Sequence, residues 1–204
     1  LFQNKKCIIL KESQKVNTHA ESLALFVKSI FDDVNLSFDK LDAIAISSGP
    51  GSYTGLRIGS SMTKGLAYSL DIPVISINTL ESMAIGMNKS SDLNPDFYIP
   101  MIDARRNEVY LQIYDKDLKP MDKAQALILD NADFSKLKGH ILFGGDGSIK
   151  WQNQSEKTHH WSFNIKAFLS AEYVGLAALS PLETKDYSDV AYFEPNYLKE
   201  FTGK

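Results

Sequence analysis

Apolar side chains recur every three or four residues along "THAESLALFVKSIF" (18–31), at Ala20, Leu23, Ala24, Val27, Ile30 and Phe31. At about 3.6 residues per turn these positions share one face, so the spacing predicts an amphipathic helix. Thr18 followed by Glu21 has the form of a capping box. Leu25 and Phe26 lie off the stripe, which makes a second face apolar and predicts a partner to cover it.

The pattern then alternates between short apolar runs and helical spacing. "LDAIAIS" (41–47) and "IPVISI" (72–77) predict strands, with a helix over 53–70 between them and a short helix begun by Thr79 over 79–87. Strand and helix in alternation predict an α/β lobe. "NKSSDLNPD" (88–96) is rich in turn formers and is the best linker, so a first lobe is expected over 1–96 and a second over 97–204. Beyond it "FYIPMID" and "EVYLQIYD" predict two strands joined by "ARRN"; "ALILD" and "HILFGG" (140–145) add more. "LSAEYVGLAALS" (169–180) predicts a helix stopped before Pro181. The start, "LFQNKKCIILKES", reads as a strand end, a polar turn from Gln3 to Lys6 and a second strand through Ile8, Ile9 and Leu10. A hairpin needs its first strand, so a segment before Leu1 is expected to be missing.

Between the first two strands lies "SSGPGSYTGLRIGSSMTKGLAYSL" (47–70). A glycine turn entering a helix raises the question of a phosphate cradle. The spacing excludes both common forms. No Lys follows the second glycine as a phosphate loop requires, and Gly49, Gly51 and Gly55 are one residue too far apart for a dinucleotide fingerprint. Gly51, Gly55, Gly59, Thr63 and Ala67 instead fall every four residues, a stripe of small side chains that would let a neighbouring backbone approach. Ile58, Met62 and Leu66 form an apolar row beside it. Arg57 opposes the helix dipole from the first turns, which suits either a nearby anion or acidic partner, or a local carboxylate.

Composition narrows the class. Of 204 residues 44% are hydrophobic and 23% charged, ordinary for a globular protein with a core. No apolar run nears the ~20 residues that span a bilayer, and no secretory leader is visible, so no membrane association is expected. One cysteine, Cys7, fits a reducing cytoplasm and is read as core. The net charge of −3 weighs against strong nucleic-acid binding by this chain alone.

The glycine-turn segment "DAIAISSGPGSYTGLRIG", then "KGLAYSLDIPVISINTLESMA", "DARRNEVY" and "EPNYLK", with "NTHAESL" near the start, together resemble the TsaB (YeaZ) family. The match runs in order from about residue 17 to 201. The resemblance implies an α/β protein with the two-lobed fold of the actin-like ATPase superfamily (sugar kinases, Hsp70, actin), built on ribonuclease H-like lobes. It implies a cytoplasmic bacterial protein needed for threonylcarbamoyladenosine on tRNA, without activity of its own. Such proteins bind and activate a catalytic paralogue, TsaD, through a bundle of the first two helices of each. They join the ATPase TsaE, self-associate when alone, and reach tRNA only within the complex. The partner-binding set carried over is Leu25, Phe26, Tyr53, Gly55, Arg57, Ile58, Gly59, Met62, Thr63 and Leu66. No cofactor of its own is implied, while ATP or ADP is allowed within the complex.

Catalytic signatures were weighed against this. The paralogue's metal is held by two histidines one turn apart on its first helix; here His19 stands alone, with Leu23 a turn later, so no metal site is expected. Neither a zinc-peptidase cluster nor a serine elbow is present, which disfavours an M22 glycoprotease-like peptidase. An independent ATPase or kinase-like enzyme is the other alternative. For it, Gly144 and Gly145 of "GGDGS" would touch adenosine or form an ordinary turn. Asp103 would face a cleft or cap the "ARRN" turn. Arg105 and Arg106 would contact phosphate or tRNA backbone, or sit on a solvated hairpin tip. Trp151 and Trp161 are read as core in preference to RNA-stacking residues. Tyr197 and Phe201 are expected to anchor the tail.

Overall fold

The computed structural model describes residues 1–13, 19–155, 158–165 and 169–199. In chain order the elements are β1 (Phe2–Gln3), β2 (Lys6–Cys7), α1 (His19–Val34), β3 (Ile44–Ser47), α2 (Tyr53–Leu70), β4 (Val74–Ile77) and α3 (Thr79–Ser90). There follow β5 (Phe97–Asp103), β6 (Glu108–Leu111), β7 (Tyr114–Asp115), β8 (Gln125–Ile128), β9 (Ile141–Gly144), α4 (Gly147–Gln154), β10 (Trp161–Asn164), α5 (Ala171–Ala177) and α6 (Leu179–Thr184). The result is an α/β fold. Among the described residues no helix is long and apolar enough to cross a membrane.

The chain divides into two compact units, residues 1–78 with 170–196, and residues 79–169 with 197–204. This differs from the division at 96/97 expected from the turn-rich stretch. Helix α3 runs on to Ser90 and buries Leu80, Met83, Ala84 and Met87 against Tyr98, Ile102, Tyr114 and Leu142. Its apolar face therefore belongs to the sheet that follows it.

In the first unit β3 and β4 pair in parallel, Ile44 opposite Val74 and Ser47 opposite Ile77. A separate hairpin joins β1 and β2, turning through Asn4 and Lys5, both at positive φ. Strand β2 ends at Cys7, but hydrogen bonding between the two arms continues, from Ile8 N to Leu1 O at 2.9 Å and from the Leu1 amine to Ile9 O at 2.8 Å; Ile8 and Leu10 stand exposed beyond the assigned strand. Cys7 itself is only half-buried. Helix α2 covers β3. Ser52 caps it, accepting a hydrogen bond from Gly55 N, and Asp71 stops it in the left-handed conformation. Ile46, Ala67, Val74 and Phe193 form the core of this unit. The helix expected over 169–180 does stop before Pro181, but earlier than expected, at Ala177, and Pro181 lies in the first turn of a second helix, α6. A first-turn residue has no intrahelical N–H bond to lose, so proline is tolerated there.

The second unit is built on a mixed six-stranded sheet in the order β10-β9-β5-β6-β8, with β7 also on β5. The side chains of β5 alternate between its two faces. Tyr98 and Ile102 meet α3, while Ile99 and Met101 meet the cluster of Phe134, Phe143 and Trp151. "EVYLQIYD" is broken into β6 and β7 because the Asp122 carboxylate takes the Ile113 amide, at 2.8 Å. Trp151 and Trp161 meet at a tilt of 39° in the aromatic cluster with ring centroids 5.6 Å apart, and Trp151 is buried.

Candidate functional site

Helices α1 and α2 pack together, and their outer faces border a shallow groove of about 400 Å³ lined by Leu23, Ala24, Arg57, Ile58, Ser61 and Met62. The lining is mainly apolar. Leu25, on α1, has 66% of its surface exposed, and Tyr68, near the end of α2, has 86%. Thr18 and the side chains of His19 and Glu21, and with them the expected capping box, lie outside the described residues, as does Phe201.

The small-residue stripe of α2 does not face this groove. A Cβ on Gly59 would meet the Ile46 side chain of β3 at 3.6 Å. Thr63 and Ala67 are buried, Ala67 in the core of the first unit. Gly55 faces its own capping residue, Ser52, and Gly51 precedes the helix. The stripe lets α2 settle on the chain's own strand, so Gly55, Gly59 and Thr63, expected in the partner-binding set, serve packing within the chain. A second small-residue row points outward: Ser61 lines the groove, and nothing lies within 4 Å of a Cβ on Gly65. This row has the same four-residue spacing in the sequence, at Ser61, Gly65 and Ser69.

Of the rest of the expected partner set, only Arg57, Ile58 and Met62 line the groove. Phe26, Tyr53 and Leu66 are half-buried. Arg57 lies with its guanidinium 4.2 Å from the Tyr53 ring centroid, a cation–π contact. Among the described residues no carboxylate pairs with it; the aromatic ring is the partner seen. The contact leaves the charge at the rim of an apolar groove.

The loop that enters α2 is held from two sides. Ser48 donates from both its amide and its hydroxyl to Ile77 O, at 2.8 and 3.0 Å. Its carbonyl accepts from Asn196 N at 2.7 Å. Gly49 sits at φ +109°, where a Cβ would lie 2.7 Å from Asn196 O. Only glycine fits both that conformation and that approach. This glycine makes room for the chain's own closing segment.

The second expected group lies in the other unit. Asp103, at the end of β5, accepts from Arg105 N at 2.7 Å and from Lys150 Nζ at 2.6 Å, so it ties down the hairpin "ARRN". Burial alone would raise its pKa, but the hydrogen bonds from Lys150 and the Arg105 amide together outweigh that and hold it below the usual carboxylate value. Lys150 Nζ also reaches Arg106 O at 2.7 Å. Arg105 and Arg106 occupy the tip at positive φ, exposed. Gly144 and Gly145 are buried: a Cβ on Gly144 would strike Met87, and one on Gly145 would strike Met101 O. Both glycines are thus packed against this unit's own core. Among the described residues no three His, Cys, Asp or Glu side chains come together as a metal site would need.

Comparison with known proteins follows the same outline. The family model for TsaD, tRNA N6-adenosine threonylcarbamoyltransferase, matches residues 12–198. Three curated relatives are named tRNA threonylcarbamoyladenosine biosynthesis protein TsaB. That of Bacillus subtilis is 40% identical over 43% of this chain and 37% of its own. That of Haemophilus influenzae is 35% identical over 54% and 45%, and that of Escherichia coli 34% identical over 48% and 42%. The chain thus spans less than half the length of these relatives. Among solved structures, YeaZ from Pseudomonas aeruginosa superposes with a TM-score of 0.79 at 22% identity, covering 89% of this chain and 85% of that one. At that identity the likeness shows the fold.

Proposed function

Because the chain belongs to the TsaD/TsaB family, with TsaB (YeaZ) proteins among its relatives, we propose that it serves tRNA threonylcarbamoyladenosine biosynthesis as a non-catalytic subunit. In this reading it docks and activates a TsaD-like catalytic paralogue through α1 and α2, its two units corresponding to the two lobes of an actin-like ATPase fold. The observation that carries the reading is the apolar groove between those helices, with Leu25 and Tyr68 exposed on the same pair of helices. A monomer gains nothing by leaving such a face in water, and large apolar patches mark interaction sites.

The chemistry elsewhere agrees with an accessory role. Asp103 and Lys150 are spent on each other and on a hairpin, and the glycines at 144 and 145 are filled from within their own unit. A TsaE-like ATPase joins the assembly, which supplies any ATP or ADP site and the contact with tRNA. The same helices pair with a second copy when the catalytic partner is missing. The assembly works in the cytoplasm.

The test is threonylcarbamoyladenosine formation by a TsaD-like enzyme with a TsaE-like ATPase, ATP, threonylcarbamoyl-adenylate and tRNA, with and without the full-length protein. Dependence of the modification on the protein supports the role. Full activity without it sinks the role.

A further inference from the structure

We infer that the segment Ser188–Asn196 is a strap that positions α2, so that the chain's closing segment sets the geometry of the docking face. The inference rests on the reading of α1 and α2 as that face.

The strap meets α2 at three heights. At its far end Asn196 N donates to Ser48 O at 2.7 Å, in the loop that starts the helix, and Asn196 O fills the space that Gly49 leaves empty. In the middle of the helix Lys64 Nζ donates to Ala191 O at 3.1 Å. Near the end, Phe193 and Val190 pack with Ala67 and Val74, and Ser188 N donates to Val74 O at 2.8 Å. The segment between these anchors is itself braced: the Asp189 carboxylate accepts from Ala191 N at 2.8 Å and Tyr192 N at 3.3 Å, and Phe193 N donates to Asp189 O at 2.7 Å. Asp189 thus folds the strap into the shape that fits the helix.

On α2 itself the strap meets Lys64 and Ala67, which lie along the same side of the helix as the buried Ser60 and Thr63. Arg57, Ile58, Ser61 and Met62 line the groove on the other side. A rigid helix transmits a shift of one side to the other, since its backbone bonds are internal. The strap therefore acts on the docking face without touching a partner. Asn196 and Lys64 are positioning residues.

Two variants remove anchors without emptying the core. Asn196→Pro deletes the donating N–H, and Lys64→Met removes the ammonium while keeping a good helix former. Amide hydrogen exchange of the full-length protein is the first readout. Loss of one such bond should speed opening of the helix start, over 53–62, by about tenfold or somewhat less, with exchange in residues 79–169 unchanged. Unchanged exchange over 53–62, or equal acceleration in both units, would overturn the strap. The second readout is affinity for a purified TsaD-like partner, expected to weaken several-fold in both variants and to stay at the wild-type value if the strap does not position the face. If the wild-type protein itself fails to bind that partner, the docking reading falls, and the exchange data still decide the strap.

Discussion

The carbonyl of Asn196 occupies the place where any residue but glycine at position 49 would put its Cβ, 2.7 Å away, while the Asn196 amide bonds to Ser48 O. Residues from distant parts of the chain thus share one joint, and the joint sits at the start of α2. Gly49→Ala is expected to strain both the backbone, at φ +109°, and this contact. The loss should be about 2–3 kcal/mol, within the range for a non-glycine residue held in a disfavoured conformation with a steric clash added. A thermal or denaturant melt checks it. A melting temperature equal to wild type would mean that Asn196 moves away freely.

Gly65 is the opposite case. It lies within α2, exposed, and nothing stands within 4 Å of a Cβ there. Gly65→Ala should stabilise the isolated protein by about 0.5–1 kcal/mol, the usual gain on replacing a mid-helix glycine. The same methyl group would stand on the outward row of small residues. Stability should therefore rise while any pairing that uses this row weakens. Unfolding and binding measured on the same preparation separate the two effects.

The bounds of α2 and β5 were legible because their signals are local. Ser52 and Asp71 bracket a continuous helical pattern, and seven residues of unbroken strand character make β5. The direction in which α2 faces was not legible. Two rows of small residues share its four-residue period, and spacing alone cannot say which one meets a strand. The available signal was Ile46, a branched side chain on the strand just before, which needs a small helix face to pack on; Gly59 supplies it. The boundary between the units was hidden for a similar reason. The turn-rich residues after α3 read as a linker, yet the apolar face of α3 takes its partners from β5 and β9, which come later in the chain. Pro181 did not mark where α5 ends, because proline breaks a helix interior but not a first turn, and here it sits in the first turn of α6.

Met62→Asp tests the groove. Met62 lines it and is half-buried, so a carboxylate there keeps the helix but charges an apolar surface. Stability should change by less than about 1 kcal/mol, as for most substitutions near the surface. Affinity for a TsaD-like partner should fall by tenfold or more, since a carboxylate desolvated without a partner costs at least about 1.4 kcal/mol, the equivalent of one decade. Titration calorimetry reads this directly, and circular dichroism confirms the fold. Binding at wild-type affinity by a folded Met62→Asp protein would move the interface elsewhere.

Asp103 contributes to the acid limb of the second unit's stability. Its hydrogen bonds from Lys150 and Arg105 N outweigh the effect of burial and hold its pKa below the ordinary 3.8. A carboxyl group whose folded pKa is depressed adds stability that is complete above the ordinary value and disappears as pH falls from there through the folded value. Stability should therefore drop below about pH 4 more steeply in the wild type than in Asp103→Asn, which has no charge to lose. At neutral pH the variant forfeits the ion pair with Lys150. That pair is partly exposed, so the loss should stay near 0.5–1 kcal/mol. The substituted amide side chain would keep an oxygen for the Arg105 N–H, and the hairpin tip should hold its shape. Melting curves of both proteins between about pH 3 and 7 decide the matter. Parallel curves across that range would show that Asp103 titrates alike in the folded and unfolded chain, and that the Lys150 contact does not perturb it.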